Sequence, residues 1–202
     1  GGSSGFGLTG KGVLLGVWDG GMVNTAHEEF ESRLLWKETR KTDVFGNAIQ
    51  LDTHATHVSG TMIAAGKNNY AKGMAPEATL WAYSADSDIG GFLDRAPSNG
   101  IVASNHSYGR DSGWVAPLLE PYWTWEGTVS VNATEDWAFG FYDEESKLWD
   151  SFLHKNPTYL AVIAVGNDRG RESVALTHYH GFIDETLYTD THEKDGGSDG
   201  YD

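Results

Sequence analysis

An α/β fold, a mostly parallel sheet with helices on both faces, is what three features of this 202-residue sequence predict. Short apolar runs recur along the chain and stop at glycine or polar residues, as strands covered on both faces do. Helix-length stretches separate those runs, which is the alternation of a parallel sheet. The residues just after the runs are of the kinds that carry chemistry, and ligands gather at the carboxyl ends of such strands.

In order, a Gly/Ser-rich start and the turn Thr9-Gly10-Lys11-Gly12 lead into the run Val13–Trp18, which stops at Asp19-Gly20-Gly21. Further strands of the same kind are expected at Ala78–Ala82, Ile101–Ser104 and Tyr159–Val165. The clearest helix is His54–Ala65, with Asp52 or Thr53 as its N-cap and Gly66 just past its end. Asp143–Lys155 reads as another, closed by Asn156-Pro157. No internal repeat or linker divides the chain, so it reads as one domain.

Composition narrows the function. At 39% hydrophobic the chain can bury a sizeable core, and its net charge of −15 repels phosphate backbones and anionic lipid, so neither nucleic acid nor a membrane is an expected partner. With no cysteine there is no disulfide framework or thiolate site. No run approaches the ~18 apolar residues of a membrane span, and Gly1–Gly5 is not a signal peptide, so the chain reads as soluble and processed.

Singly, Asp19-Gly20, Ser107-Tyr108-Gly109 and Gly166-Asn167 are ordinary turn or strand-end residues. Together with Asp52-Thr53-His54-Ala55-Thr56-His57-Val58-Ser59-Gly60-Thr61 they form a pattern, and the chain resembles the subtilisin-like serine proteases. In that family the catalytic Asp follows an apolar strand as Asp-Thr/Ser-Gly, and the catalytic His opens a helix as His-Gly-Thr-His-Val-Ala-Gly-Thr. Gly73-Met74-Ala75-Pro76 is similar to the family's Gly-Val-Ala-Pro, Asn105–Gly109 to its substrate-binding strand, and Ala164-Val165-Gly166-Asn167 to the segment that keeps its oxyanion Asn. The resemblance runs in family order from Leu8 to Asn167. It implies a three-layer subtilisin-like architecture, incomplete in this chain. It also implies catalytic Asp19 and His54, an oxyanion donor in Asn167, and substrate binding by Ser107, Tyr108 and Gly109. Asp before His is the subtilisin order of a triad in which the imidazole takes the serine proton and the carboxylate orients it. Gly20, Ala55, Ser59 and Val165 depart from the family pattern by small exchanges. Gly20 alone removes a hydroxyl beside the catalytic carboxylate.

The family nucleophile lies in Gly-Thr-Ser-x-Ala-x-Pro, and no such segment occurs in these residues. The expectation is therefore the N-terminal part of one peptidase domain, 1–202, with a C-terminal fragment carrying the Ser as partner and a peptide or protein as substrate. The chemistry requires no cofactor. The resemblance allows structural calcium, for which Glu29, the loop 66–71, and the tail residues His178, His180, Asp190, His192, Asp195 and Asp199 offer ligands, with no metal site assigned. It also implies a secreted or periplasmic protein. A zincin reading of His54 and His57 fails because Ala55 follows the first His and the spacing is three; His57 reads as a packed helix residue. A competing class rests on an aromatic-rich insertion at about 110–150 holding Trp114, Trp123, Trp125, Trp137 and Trp149. Such rings stack on sugars, in a carbohydrate- or protein-binding module or a glycosidase using Asp143, Glu144 or Glu145, or they form a satellite core.

Overall fold

The computed structural model describes residues 7–43, 46–85, 95–109, 112–115, 123–125, 127–128, 130–132, 136–167, 178–183 and 186–190. They fall into two compact units, Gly1–Tyr108 with Glu144–Ala164, and Gly109–Asp143 with Val165–Asp202.

The first unit is built on a five-stranded parallel sheet. Its strands are β1 (Leu14–Asp19), β2 (Leu34–Trp36), β3 (Thr79–Ser84), β4 (Ala103–His106) and β7 (Leu160–Ile163), in the order β2-β3-β1-β4-β7. The two strands between β4 and β7 in the chain belong to the second unit. Helices α1 (Thr53–Ile63), α2 (Arg95–Ser98) and α3 (Glu144–Lys155) complete the first. The expected α/β class and four of the five strands are thus present, while β2, only three residues long, carries too little pattern to read.

Strand alternation divides the core. Val17 of β1 packs with Leu34, Leu80, Ala82 and, from α1, Ala55 and Ile63. Helix α1 faces them with Ala55, Ser59 and Ile63, a four-residue spacing that places all three on one side. Trp18, one residue on, points to the opposite layer and packs with Ala96, Ile101, Tyr159 and Phe152 of α3. Helices therefore cover both faces, and each buried large apolar side chain contributes roughly 1.5–3 kcal/mol.

That second layer contains a cross-strand ladder. Tyr83, Trp18 and His106 are register partners on β3, β1 and β4. Trp18 stacks on Tyr83 at 4.5 Å between centroids and on His106 at 5.2 Å, while Trp149 of α3 meets His106 edge-on at 4.9 Å. Gly16 makes room for it, since a Cβ there would lie 2.4 Å from the Trp18 ring. His106 is 1% exposed, and its ring nitrogens bond to Ser104 Oγ at 2.7 Å and Tyr108 Oη at 3.0 Å. Burial holds the imidazole neutral, with its pKa lowered to about 4.

β7 differs from expectation. Leu160, Val162 and Ile163 are about half exposed and Val165 almost wholly so. The strand is paired only with β4, so it ends the sheet among the described residues.

The second unit holds a four-stranded sheet of β5 (Trp114–Val115), β6 (Trp123–Trp125), β8 (His178–Ile183) and β9 (Thr186–Asp190), in chain order across the sheet. Asp136 is buried there and accepts a hydrogen bond from Gly113 N–H at 2.8 Å. Trp137 donates to Thr128 Oγ1 and meets Phe141 edge-on at 5.2 Å. Trp149, at the end of the aromatic-rich stretch, lies instead on α3 in the first unit.

Two outcomes follow from this packing. Between pH 6.5 and about 4 the unfolded chain takes up a proton at His106 that the folded one refuses, so acidification removes roughly 3 kcal/mol of stability over that window and none below it. His106→Leu should be less stable at pH 7, yet lose this component of the acid dependence; parallel urea curves for variant and parent at pH 7 and pH 4 check it, and an unchanged gap contradicts it. Gly21 is buried where residues 21–22 cross residues 50–52, and a Cβ there would stand 2.5 Å from that of Asp52. Gly21→Ala should cost about 1–3 kcal/mol by overpacking, read as a lowered urea midpoint.

Candidate active site

Asp19 ends β1, the strand between β3 and β4, at the carboxyl edge of the sheet. Its backbone carbonyl accepts from Ala85 N–H at 2.7 Å, and Gly20 N–H donates to its Oδ1 at 2.8 Å. The carboxylate is buried, with 2% of the residue exposed.

His54 comes from the first turn of α1, and local chemistry decides where that turn begins. Asp52 is extended and accepts Ala55 N–H on Oδ1 at 2.6 Å, the geometry of an N-cap. Asp52 is pinned in turn by a short bridge, in which Met22 N–H donates to Gln50 O and Asp52 N–H to Met22 O, both at 2.8 Å. Since Met22 follows Asp19 by three residues, the bridge ties the helix start to the end of β1. His54 Nδ1 consequently lies 2.8 Å from Asp19 Oδ1. The imidazole side chain is 58% exposed, against 3% for the carboxylate. A buried carboxylate that accepts from Nδ1–H leaves Nε2 as the acceptor, on the exposed ring. Such a pair can hold one tautomer and remove a proton from a hydroxyl. Asp19 Oδ2 accepts no hydrogen bond among the described residues.

The other expected site residues are placed as follows. Ser107 and Tyr108 continue from β4 in the first unit; Ser107 Oγ accepts from Asn105 Nδ2 at 2.8 Å, and Tyr108 Oη is held by His106. Burial, followed by the charge of Glu145, raises the Tyr108 pKa. Gly109 and Asn167 belong to the second unit, where Asn167 is exposed after Gly166, whose φ is +98°. The structure brings Asp19 and His54 together, and it holds Ser107 and Tyr108 at the end of the neighbouring strand.

His57 is a correction. It is exposed, because it lies two residues from both Ala55 and Ser59 on the helix, on the side that lines a cavity of about 720 Å³ with Leu51, Asp52, Thr56, Tyr70 and Met74. Glu29 and the loop 66–71, both expected as candidate calcium ligands, meet each other in a different role, and Arg33 beside them was not anticipated. Glu29 accepts N–H bonds from Gly66, Lys67 and Asn68 at 2.7, 3.0 and 2.8 Å, and those bonds, Asn68's foremost, hold its carboxyl below the usual range. A loop that turns N–H donors toward this carboxylate does not fit calcium there. Arg33 donates to the carbonyls of Ile63, Ala78 and Glu29, closing the end of α1. These roles had no sequence signal, as the partners are backbone groups 30 or more residues away, apart from the Arg33–Glu29 bond. The remaining calcium candidates in the tail, His178 to Asp199, lie outside the described side chains. Asp143, Glu144 and Glu145 stand at the start of α3.

Among the described residues no helix is long and apolar enough to cross a membrane. No curated protein sequence matches the chain. Similar solved structures include a mutant of the protease domain of PatA (19% identity, TM-score 0.49, covering 81% of this chain and 54% of that one). Others are the Clostridium perfringens CspB protease (18%, 0.54, 83% and 38%) and a cold adapted subtilisin-like serine proteinase (26%, 0.36, 52% and 40%). The chain spans about half or less of their lengths, and the likeness to CspB is one of fold. The profile of the subtilase family, peptidase S8, matches residues 10–191. Over nearly its whole length, then, this chain is that family's sequence on that family's sheet, and it belongs to the subtilase family.

Proposed function

We propose that the chain supplies the general base and its orienting carboxylate to a serine endopeptidase that cleaves peptides through an acyl-enzyme. The observation that carries this is the 2.8 Å contact between buried Asp19 and exposed His54. In the proposed cycle His54 Nε2 accepts the proton of a serine hydroxyl as its oxygen attacks the scissile carbonyl, and then returns it to the leaving amine. Asp19 keeps the Nδ1–H tautomer and stabilises the imidazolium. Asn167 donates to the tetrahedral oxyanion, and an extended peptide pairs with the main chain of Ser107, Tyr108 and Gly109. None of these steps needs a cofactor.

The serine is proposed to come from a polypeptide segment beyond these 202 residues. Support comes from the half-exposed apolar edge of β7 and from Leu51, Tyr70 and Met74, exposed beside α1. Uncovered apolar surface of this kind is uncommon on a protein that stands alone. Both units are read as parts of one peptidase domain, with the aromatic-rich 110–150 region as an insertion in it. A secreted or periplasmic location is proposed from the family alone.

In the complete domain His54→Ala should leave folding nearly intact and lower peptide hydrolysis by several orders of magnitude. Hydrolysis at the parent rate contradicts the assignment. Asn167→Ala should lower kcat by roughly 10²–10³ with little change in KM, the range known for subtilisin's own oxyanion asparagine. Steady-state kinetics on a short peptide separates this from a substrate-positioning role, in which KM alone would rise.

A further inference from the structure

We propose that Asp19, Asp52 and His54 form a binding site for a first-row divalent transition ion, zinc being the ion the ligands suit best, and that this ion switches the base off. One ligand atom from each residue lies within 4.8 Å of the other two. In a tetrahedral zinc site, with bonds of about 2.0–2.2 Å, ligand atoms are roughly 3.4 Å apart, so the 2.8 Å contact of His54 Nδ1 with Asp19 Oδ1 would open slightly and no other pair has to close by more than about 1.4 Å. Side-chain rotation can supply that closure. Asp19 is buried and fixed, whereas Asp52 is partly exposed and the His54 ring largely so.

A second, independent feature points to a cation. Asp19 Oδ2 is buried and accepts no hydrogen bond among the described residues, a costly state for a carboxylate oxygen that a metal bond would relieve. The cap to Ala55 occupies Oδ1 of Asp52. Two carboxylates beside one imidazole place two negative charges where a divalent ion balances them, and the net charge of −15 favours cations near the protein generally. The imidazole selects against calcium and magnesium, which take oxygen ligands, and a mixed nitrogen and oxygen set suits zinc.

Ligation at Nδ1, the nitrogen facing Asp19, moves that nitrogen's proton to Nε2. No proton is lost or gained, but the ring changes tautomer. Nε2 then donates where it previously accepted, and it can no longer take a proton from a hydroxyl. This switching step rests on the proposed peptidase reading, whereas ion binding does not.

Zinc chloride titrated into the full-length protein tests the site, with calorimetry for affinity and ¹⁵N-resolved imidazole spectra for His54. Asp52→Asn is the informative variant, because Asn is an equally good N-cap but a poorer metal ligand. The expected result is a His54 ring converted to the Nε2–H tautomer by zinc, and zinc affinity at this site at least about tenfold weaker in Asp52→Asn, with His57→Gln unchanged. Asp52→Ser, which also keeps a cap, should behave as Asp52→Asn. Unmoved His54 signals at saturating zinc, or parental affinity at His54 in both folded Asp52 variants, overturn the site. Zinc bound at His54 with peptidase activity undiminished overturns the switch alone. A domain inactive both with and without zinc would point instead to failure of the peptidase reading.

Discussion

A buried carboxylate facing an exposed imidazole is the constraint around which the first unit is arranged. Removing Asp19 from water is costly, and within the described structure only Gly20 N–H and His54 Nδ1–H compensate it, both on the same oxygen. The pair therefore depends on two placements. β1 must run through the middle of the sheet so that Asp19 emerges at its carboxyl edge, and α1 must begin close to that point. The Met22 and Asp52 bridge, the Asp52 cap and the absence of a side chain at Gly21 fix the second placement to within a hydrogen bond.

The far end of α1 is held as firmly. Glu29 gathers the amides of Gly66, Lys67 and Asn68, while Arg33 collects carbonyls from Ile63, Ala78 and Glu29. Below the sheet the Tyr83, Trp18 and His106 stack joins the three central strands and continues through Tyr108 into the segment proposed to bind substrate. One side of β1 thus presents Asp19 to α1, and the other locks the strands beside it into register.

Local pattern made much of this legible. Uninterrupted apolar runs marked β1, β3, β4 and β7, and Asp52 with Gly66 bracketed α1, because such signals lie within a few residues of the elements they report. Asp19 and His54 were found through their order and their neighbours. The rest depends on partners distant in the chain. Nothing near Glu29 says that its carboxylate meets amides almost 40 residues on, and nothing near His106 says that it stacks on a Trp from β1. β7 has the composition of a covered strand, yet its exposure depends on which strands lie next to it. His57 was misplaced because a helical turn separates inward from outward positions by only one or two residues. For the second unit, pairing of β6 with β8 joins segments over 50 residues apart, beyond the reach of any local signal.

The central claim is that Asp19 fixes the tautomer of His54, and the most direct measurement is the ¹H and ¹⁵N spectrum of that imidazole in metal-free protein at neutral pH. The account predicts a slowly exchanging, strongly downfield Nδ1–H with Nε2 unprotonated, and loss of that resonance in Asp19→Ala. An Nε2–H tautomer, or a rapidly averaging ring indifferent to Asp19, would contradict it.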